Sequence, residues 1–271
     1  MTKLIITAAI SGAEVSKDHN PAVPYTVEET VREAESAYKA GASIIHLHVR
    51  EDDGRPTQSK ERFKECMDAI LEKCPDVIIQ PSTGGAVGMS DEDRLQPTEL
   101  GPEMATLSTG TVNFGGDEVF TNTETSMINF GKLMMERGVK PEIEAFDKGM
   151  IDNAIKMEKQ GYLKKPIHFD FVMGIQIAPT ARDLTFMVDS LPEGSTWTVA
   201  GIGRHELPLA AIGIAMGGHV RVGFEDNIYY DRGVLAESNG QLVERVARIA
   251  KELGRQVATP DEAREILGLK K

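Results

Sequence analysis

The chain has 271 residues, with 42 Asp and Glu against 30 Lys and Arg, for a formal charge of −12. An acidic balance without any basic run argues against nucleic acid as a partner, and no apolar stretch of about 18 residues offers a membrane span. The opening Met1-Thr2-Lys3-Leu4-Ile5-Ile6 has a short apolar run but no signal-peptide layout, so a soluble, cytoplasmic protein is expected. The two cysteines, Cys66 and Cys74, lie in a segment of helical periodicity and read as buried free thiols.

Short β-branched runs alternate with amphipathic helical segments. A strand is predicted at Leu4–Ala9, then a helix at Val27–Ala40, opened by Thr26 with Glu29 three residues on in the form of a capping box, and stopped at Gly41. Strand and helix then follow in pairs: Ser43–Val49 and Ser59–Glu72, Val77–Gln80 and Asp91–Leu100, Met104–Leu107 and Thr123–Arg137. The same pairing continues with Glu142–Ala145 and Asp147–Lys159, Ile167–Phe171 and Ala181–Ser190, Thr196–Ala200 and Arg204–Met216, and His219–Val222 and Gln241–Leu253. The tail Thr259–Lys271 reads as an extra short helix begun by Thr259-Pro260.

Strands joined by crossover helices build a parallel sheet, and eight of them close a barrel. With no Pro/Ser/Gly-rich linker, residues 1–271 read as a single domain of α/β class, a (β/α)8 TIM barrel. A doubly wound open sheet is the competitor, but its Gly-x-Gly-x-x-Gly is absent after the first strand, where Ser11-Gly12-Ala13-Glu14 stands. Gly201-Ile202-Gly203 after the seventh strand reads as a loop that holds a phosphate through backbone N–H groups.

Two histidines stand out inside the second strand, His46 and His48, spaced i, i+2 so that they share one face. They are a metal pair or two ordinary hydrogen-bonded rings. In a barrel the reactive groups gather at the C-terminal strand ends. There the chain places Glu14, Ser82-Thr83-Gly84-Gly85, Thr106 and Ser108, Glu144, and the run Arg221-Val222-Gly223-Phe224-Glu225-Asp226-Asn227. Thr106 and Glu144 interrupt apolar runs, and a buried Glu at such a place is catalytic, ligand-bound, or paired with a barrel cation. Strand eight adjoins strand one in a closed barrel, so a carboxylate at its end reaches the histidines. Two histidines and one carboxylate suit zinc with a position left open for substrate.

Taken together, Thr7 through Glu14, Gly41-Ala42 through His46-Leu47-His48 to Pro56, Gln80 through Val87, Pro102 through Leu107, Ala200 through Arg204 and Gly217 through Asn227 resemble the β-keto acid cleavage enzymes over about residues 3 to 269. The resemblance implies a zinc-dependent barrel, usually a homotetramer, that converts a β-keto acid and acetyl-CoA into acetoacetate and a new acyl-CoA. By that resemblance His46, His48 and Glu225 are the Zn2+ ligands, and Glu14, Ser82, Gly85, Thr106 and Ser108 contact substrate, Glu14 facing an ammonium group. Arg221, Asp226 and Glu144 form the polar catalytic group. The chemistry implied is deprotonation at C2 and a retro-Claisen cleavage without a covalent enzyme intermediate. The loop Gly174-Ile175-Gln176-Ile177-Ala178-Pro179-Thr180 departs from the family's glycine-rich pattern. An aminated substrate of lysine fermentation is the first expectation and another β-keto acid the second. A barrel that merely binds a metabolite is the non-enzymatic alternative.

Overall fold

Each of the eight predicted runs contributes one strand to a single parallel sheet, in a computed structural model that describes residues 2–269. The strands are Ile6–Ala9, Ile44–Leu47, Ile78–Pro81, Met104–Ser108, Lys140–Ala145, His168–Met173, Thr196–Gly201 and His219–Val222, called first to eighth below. Their order across the sheet is third, second, first, eighth, seventh, sixth, fifth, fourth. The third and fourth therefore meet at the barrel's seam. There Thr106 Oγ1 accepts the Thr83 N–H at 3.1 Å, and Thr83 Oγ1 donates to the Thr106 carbonyl at 2.7 Å. The predicted eightfold barrel is thereby realised, and the doubly wound sheet is excluded.

Every described α-helix except α7 begins where a side-chain oxygen accepts the N–H three residues on. Helix α1, Val27–Ala40, carries the full Thr26–Glu29 capping box and ends at Gly41 with φ 115. Ser59, Thr123 and Asp147, counted into their helices from sequence, are instead the caps of α2 (Lys60–Lys73), α4 (Glu124–Arg137) and α5 (Lys148–Lys159). The helix expected over Asp91–Leu100 divides into α3, Asp91–Leu95, and a 3-10 turn over Gln96–Leu100. Pro97 is the cause, since it has no N–H to continue the α ladder. The remaining helices are α6 (Ala181–Asp189), α7 (Glu206–Met216), α8 (Asn239–Glu252) and α9 (Pro260–Leu267), with α7 preceded by a 3-10 turn at Gly203–His205. Lys270 and Lys271, part of the predicted tail, lie outside the described residues.

The second strand ends earlier than its β-branched run. Val49-Arg50 leave the barrel to pair antiparallel with Pro56-Thr57, so His48 stands at the break between two strands. Two further hairpins rise from loops at the same end, Val112–Gly115 with Glu118–Phe120 and Tyr229–Asp231 with Val234–Leu235.

Alternation along each strand sorts the side chains into an outer apolar layer and a barrel interior. Phe169, Phe171 and Trp197 exemplify the outer layer, with Phe171 stacked on Trp197 at 5.9 Å. Inside, the lowest tier is Ile5, Ile44, Ile78 and Met104, which pack against Ala258, Ala263 and Leu267. Helix α9 thus stoppers the barrel at the strands' N-terminal end. Above that tier the interior turns polar, as Glu142, His168, Thr198 and His219 give way to Glu144, Asp170 and Arg221. Cys66 and Cys74 are buried and free, as expected. Among the described residues no helix is long and apolar enough to cross a membrane.

Candidate metal centre and active site

His46, His48 and Glu225 each present a ligand atom, and these atoms lie within 4.8 Å of one another. His46 Nε2 is 3.5 Å from Glu225 Oε2, and His48 Nε2 is 3.7 Å from Glu225 Oε1. His46 Nδ1 lies 2.8 Å from Gln80 Oε1. An amide oxygen only accepts, so Nδ1 carries the proton and Nε2 is left as a lone pair.

That lone pair faces an acceptor. His46 Nε2 and Glu225 Oε2 are both buried and neither has a hydrogen-bond partner, an arrangement that requires positive charge between them. Burial pushes the His46 ring toward neutrality, but the Glu225 carboxylate outweighs it and raises its pKa. His48 goes the other way: burial, with help from His46, Arg221 and Arg50, brings it down to about 4. A neutral imidazole, an imidazole with a fixed tautomer and a carboxylate fit a divalent cation.

Glu225 is set in place by two glycines. Gly223, at φ +145, passes so close to the first strand that a Cβ there would sit 2.3 Å from the Ala9 carbonyl oxygen. Gly12, at φ +63, lies against the Glu225 side chain, and a Cβ there would fall 2.6 Å from Glu225 Cγ. Between these contacts the Glu225 N–H donates to the Ala9 carbonyl at 3.1 Å. The eighth strand's end is thereby folded over the second strand's histidines.

Beside the three ligand atoms, the buried Arg221 guanidinium meets four carboxylates. Nε and Nη2 fork onto Asp226 at 2.9 and 3.0 Å, Nη2 also reaches Glu225 at 2.5 Å, and Nη1 lies 3.4 Å from both Glu144 and Asp170. Burial raises the pKa values of Glu144, Asp170 and Asp226 despite Arg221. Burial also opposes ionisation of Glu225, yet Arg221 and the two histidines hold it well below the usual carboxylate range. The one carboxylate kept firmly ionised is the one placed between the histidines.

These groups open onto a cavity of about 250 Å3 whose wall includes Glu14, His48, Ser82, Gly85, Glu144, Arg221, Glu225 and Asp226. Phe114, Phe120, Phe146 and Ile175 give it an apolar side. Glu14 is exposed at its edge and makes no ion pair among the described residues. Two predicted contacts are placed differently. Thr106 is fully buried with its hydroxyl engaged in the barrel seam, and Ser108 Oγ donates to Glu144 Oε2 at 2.9 Å, so neither side chain forms part of the cavity wall. Ile175 of the divergent 174–180 loop does line it.

The expected phosphate loop is also corrected. Gly203 N–H donates to the Asp226 carbonyl at 2.7 Å, Ile202 N–H to Met173 at 3.0 Å and His205 N–H to Ile202 at 3.3 Å. Those N–H groups brace Asp226 and the loop itself.

Sequence reasoning passed over a buried tier directly below. His168 Nε2 lies 3.0 Å from Glu142 Oε2, its Nδ1 2.8 Å from Thr196 Oγ1, and its ring 6.2 Å from that of His219. Asp170, two residues after His168, touches Arg221 from beneath. The signal was available in Glu142-x-Glu144, His168-x-Asp170 and His219-x-Arg221, each the same period-two polar pattern as His46-x-His48.

A TIM barrel with a metal-capable centre and a buried arginine–carboxylate cluster at its C-terminal end defines the class. The chain belongs to the beta-keto acid cleavage enzyme family, whose sequence profile matches residues 3–269. It is 75% identical over 271 residues, all of both chains, to a 3-keto-5-aminohexanoate cleavage enzyme of Fusobacterium nucleatum. It is 67% identical over 273 residues, again all of both, to one of Acetoanaerobium sticklandii. A 3-oxoadipate:acetyl-CoA acetyltransferase of Cupriavidus necator is 43% identical over 98% of this chain and 94% of its own. Among solved structures, apo ObcA matches with a TM-score of 0.81 over 92% of this chain and 66% of that chain, and at 20% identity the likeness is one of fold. The protein is an acyl-transferring enzyme.

Proposed function

We propose that the protein cleaves 3-keto-5-aminohexanoate with acetyl-CoA, giving 3-aminobutyryl-CoA and acetoacetate, as a cytoplasmic homotetramer of lysine fermentation that holds zinc at His46, His48 and Glu225. The observation that carries this reading is the pair of full-length relatives of that name at 75% and 67% identity, together with the unpartnered Glu14 at the cavity edge. A carboxylate there matches the ammonium of an aminated keto acid.

Zinc held by His46, His48 and Glu225 would supply Lewis-acid polarisation that acidifies the C2 proton of the keto acid. The chain's own groups do the rest. Asp226, held by the Arg221 fork, takes the C2 proton, and the electron pair left on C2 attacks the thioester carbonyl of acetyl-CoA. The CoA thiolate leaves and attacks the C3 carbonyl. The C2–C3 bond then breaks, releasing 3-aminobutyryl-CoA, and acetoacetate recovers its proton from Asp226. Arg221 balances negative charge as it moves among these centres, and Ser108 holds Glu144 beside them. No serine or cysteine nucleophile is required, in agreement with the burial of Cys66 and Cys74 on α2 and at its end.

The test is turnover of a panel of β-keto acids with acetyl-CoA, joined to elemental analysis. The aminated substrate should exceed neutral ones of equal length by at least tenfold in kcat/KM. Equal turnover of a neutral keto acid would transfer the assignment to the second reading, the same reaction on another β-keto acid. Asp226→Asn should lower kcat by about 10²–10⁴-fold with zinc content unchanged, whereas a barrel that merely binds a metabolite would show no turnover to lose.

A further inference from the structure

A second and larger cavity, about 660 Å3, lies between the loop after the seventh strand and the hairpin after the eighth. Its wall includes Gly203, Arg204, Tyr229, Tyr230, Arg232 and Arg245. In a chain of charge −12, none of these three arginines makes an ion pair among the described residues. Arg204 Nε reaches only His205 Nε2 at 3.2 Å, while Arg245 lies over the Tyr230 ring at 4.4 Å and donates to the Tyr230 carbonyl. Two carboxylates, Glu206 and Asp231, share the wall and accept local hydrogen bonds. Glu206 accepts from Gly223 N–H and Asn227 Nδ2, and Asp231 accepts the Arg232 N–H. Burial lifts the Glu206 pKa to about 8, against the hydrogen bonds from Gly223 and Asn227. The wall thus sets three arginines against two carboxylates, with tyrosine rings and an aliphatic floor that includes Leu207 and Leu242.

We propose that this cavity binds the 3′-phosphoadenosine diphosphate end of acetyl-CoA, with Arg204 and Arg232 on its phosphates and the tyrosines against its adenine. The size suits an ordered ligand of that class, unpaired arginines suit phosphate, and the loops after strands seven and eight are where barrels commonly hold it. The two cavities are adjacent by construction, because Gly203 of this one bonds to Asp226 of the other. Asn227, the chain neighbour of Asp226, also lines this cavity. The site therefore re-assigns the phosphate recognition expected near Gly203 from backbone N–H groups to side chains. The inference rests on acetyl-CoA being the co-substrate.

The test compares acetyl-CoA with acetyl-pantetheine, which carries the thioester without nucleotide or phosphates, in wild type, Arg204→Ala and Arg232→Ala. Loss of either arginine should raise the ratio of the two KM values about tenfold, in line with one charge-assisted contact, and high salt should do the same in wild type. Calorimetry with adenosine 3′,5′-bisphosphate supplies a readout without turnover: binding to wild type and its weakening in both variants are expected. Unchanged KM ratios and no bisphosphate binding overturn the proposal. Variants that change particle mass in light scattering, with acetyl-CoA KM unaffected, also overturn it and make the cavity a contact between copies of the chain. Wild type that binds the bisphosphate but turns over neither thioester would instead count against the acyl-transfer reading.

Discussion

The Arg221 guanidinium holds Asp226 by two nearly equal bonds, Nε to Oδ2 at 2.9 Å and Nη2 to Oδ1 at 3.0 Å, across the turn at Gly223. A fork of this kind fixes the plane of the carboxylate as well as its distance. Arg221→Lys keeps the charge but loses the plane. The expected result is a fall in kcat of at least about tenfold, since one charge-assisted hydrogen bond carries roughly 1.5–3 kcal/mol, with KM for both substrates within twofold. A lysine variant with wild-type kcat would show that charge alone suffices.

His48→Ala removes one of three ligand atoms while leaving the His46–Gln80 pair intact. Zinc affinity should fall by well over tenfold and activity with it. Competition with a metal-sensitive dye gives the affinity directly, and a variant fully active at no measurable zinc would remove the metal from the reaction.

Gly12→Ala addresses Glu225 without replacing any ligand residue. The added Cβ falls 2.6 Å from Glu225 Cγ on a backbone at φ +63, so the carboxylate must be displaced and the loop strained. Zinc affinity should drop as it does in His48→Ala, with a stability loss of about 1–2 kcal/mol by urea unfolding. Unaltered zinc affinity would mean that Glu225 is held by the eighth-strand turn alone.

Thr106 separates a seam role from a substrate contact. Thr106→Val leaves the buried Thr83 N–H without its acceptor, at a cost of about 1–3 kcal/mol, while Thr106→Ser retains the hydroxyl and should restore most of it. Thermal melts of the two variants provide the comparison. A change in KM at constant melting temperature would return Thr106 to the substrate.

Acid sensitivity should trace in part to His219. Burial, then His168 and Arg255, hold its pKa at about 3 in the fold, against 6.5 for an ordinary imidazole, and its Nδ1 accepts the Ile5 N–H at 3.1 Å. Between those values the unfolded chain binds the proton and the fold does not. The contribution is therefore present above pH 6.5 and lost as pH falls toward 3, by up to about 1.4 kcal/mol per pH unit. His219→Gln should flatten the stability profile over pH 4–6.5, and an unchanged slope would place the titration elsewhere.

The barrel was legible because its strands and helices announce themselves by period, and the metal centre because His46 and His48 break a buried run while Glu225 closes the chain's circuit beside them. Thr106 shows where that reasoning stops. An inward polar residue at a strand end is visible in sequence, but whether a neighbouring strand already occupies its hydroxyl depends on the seam. His168 and Asp170 are equally visible in pattern, but their partners Glu142 and Arg221 come from other strands and are set only by the barrel's register. The hairpins had turn signals, Asp53-Gly54 and Gly115-Gly116, but their strands of two to four residues are too short to show a period.

Helix α9 gives the barrel a floor. The chamber above it has His48 and Glu225 in its wall together with the aromatic side chains of Phe114 and Phe120. With the barrel closed below by α9, reactants and products can exchange only at the strands' C-terminal end.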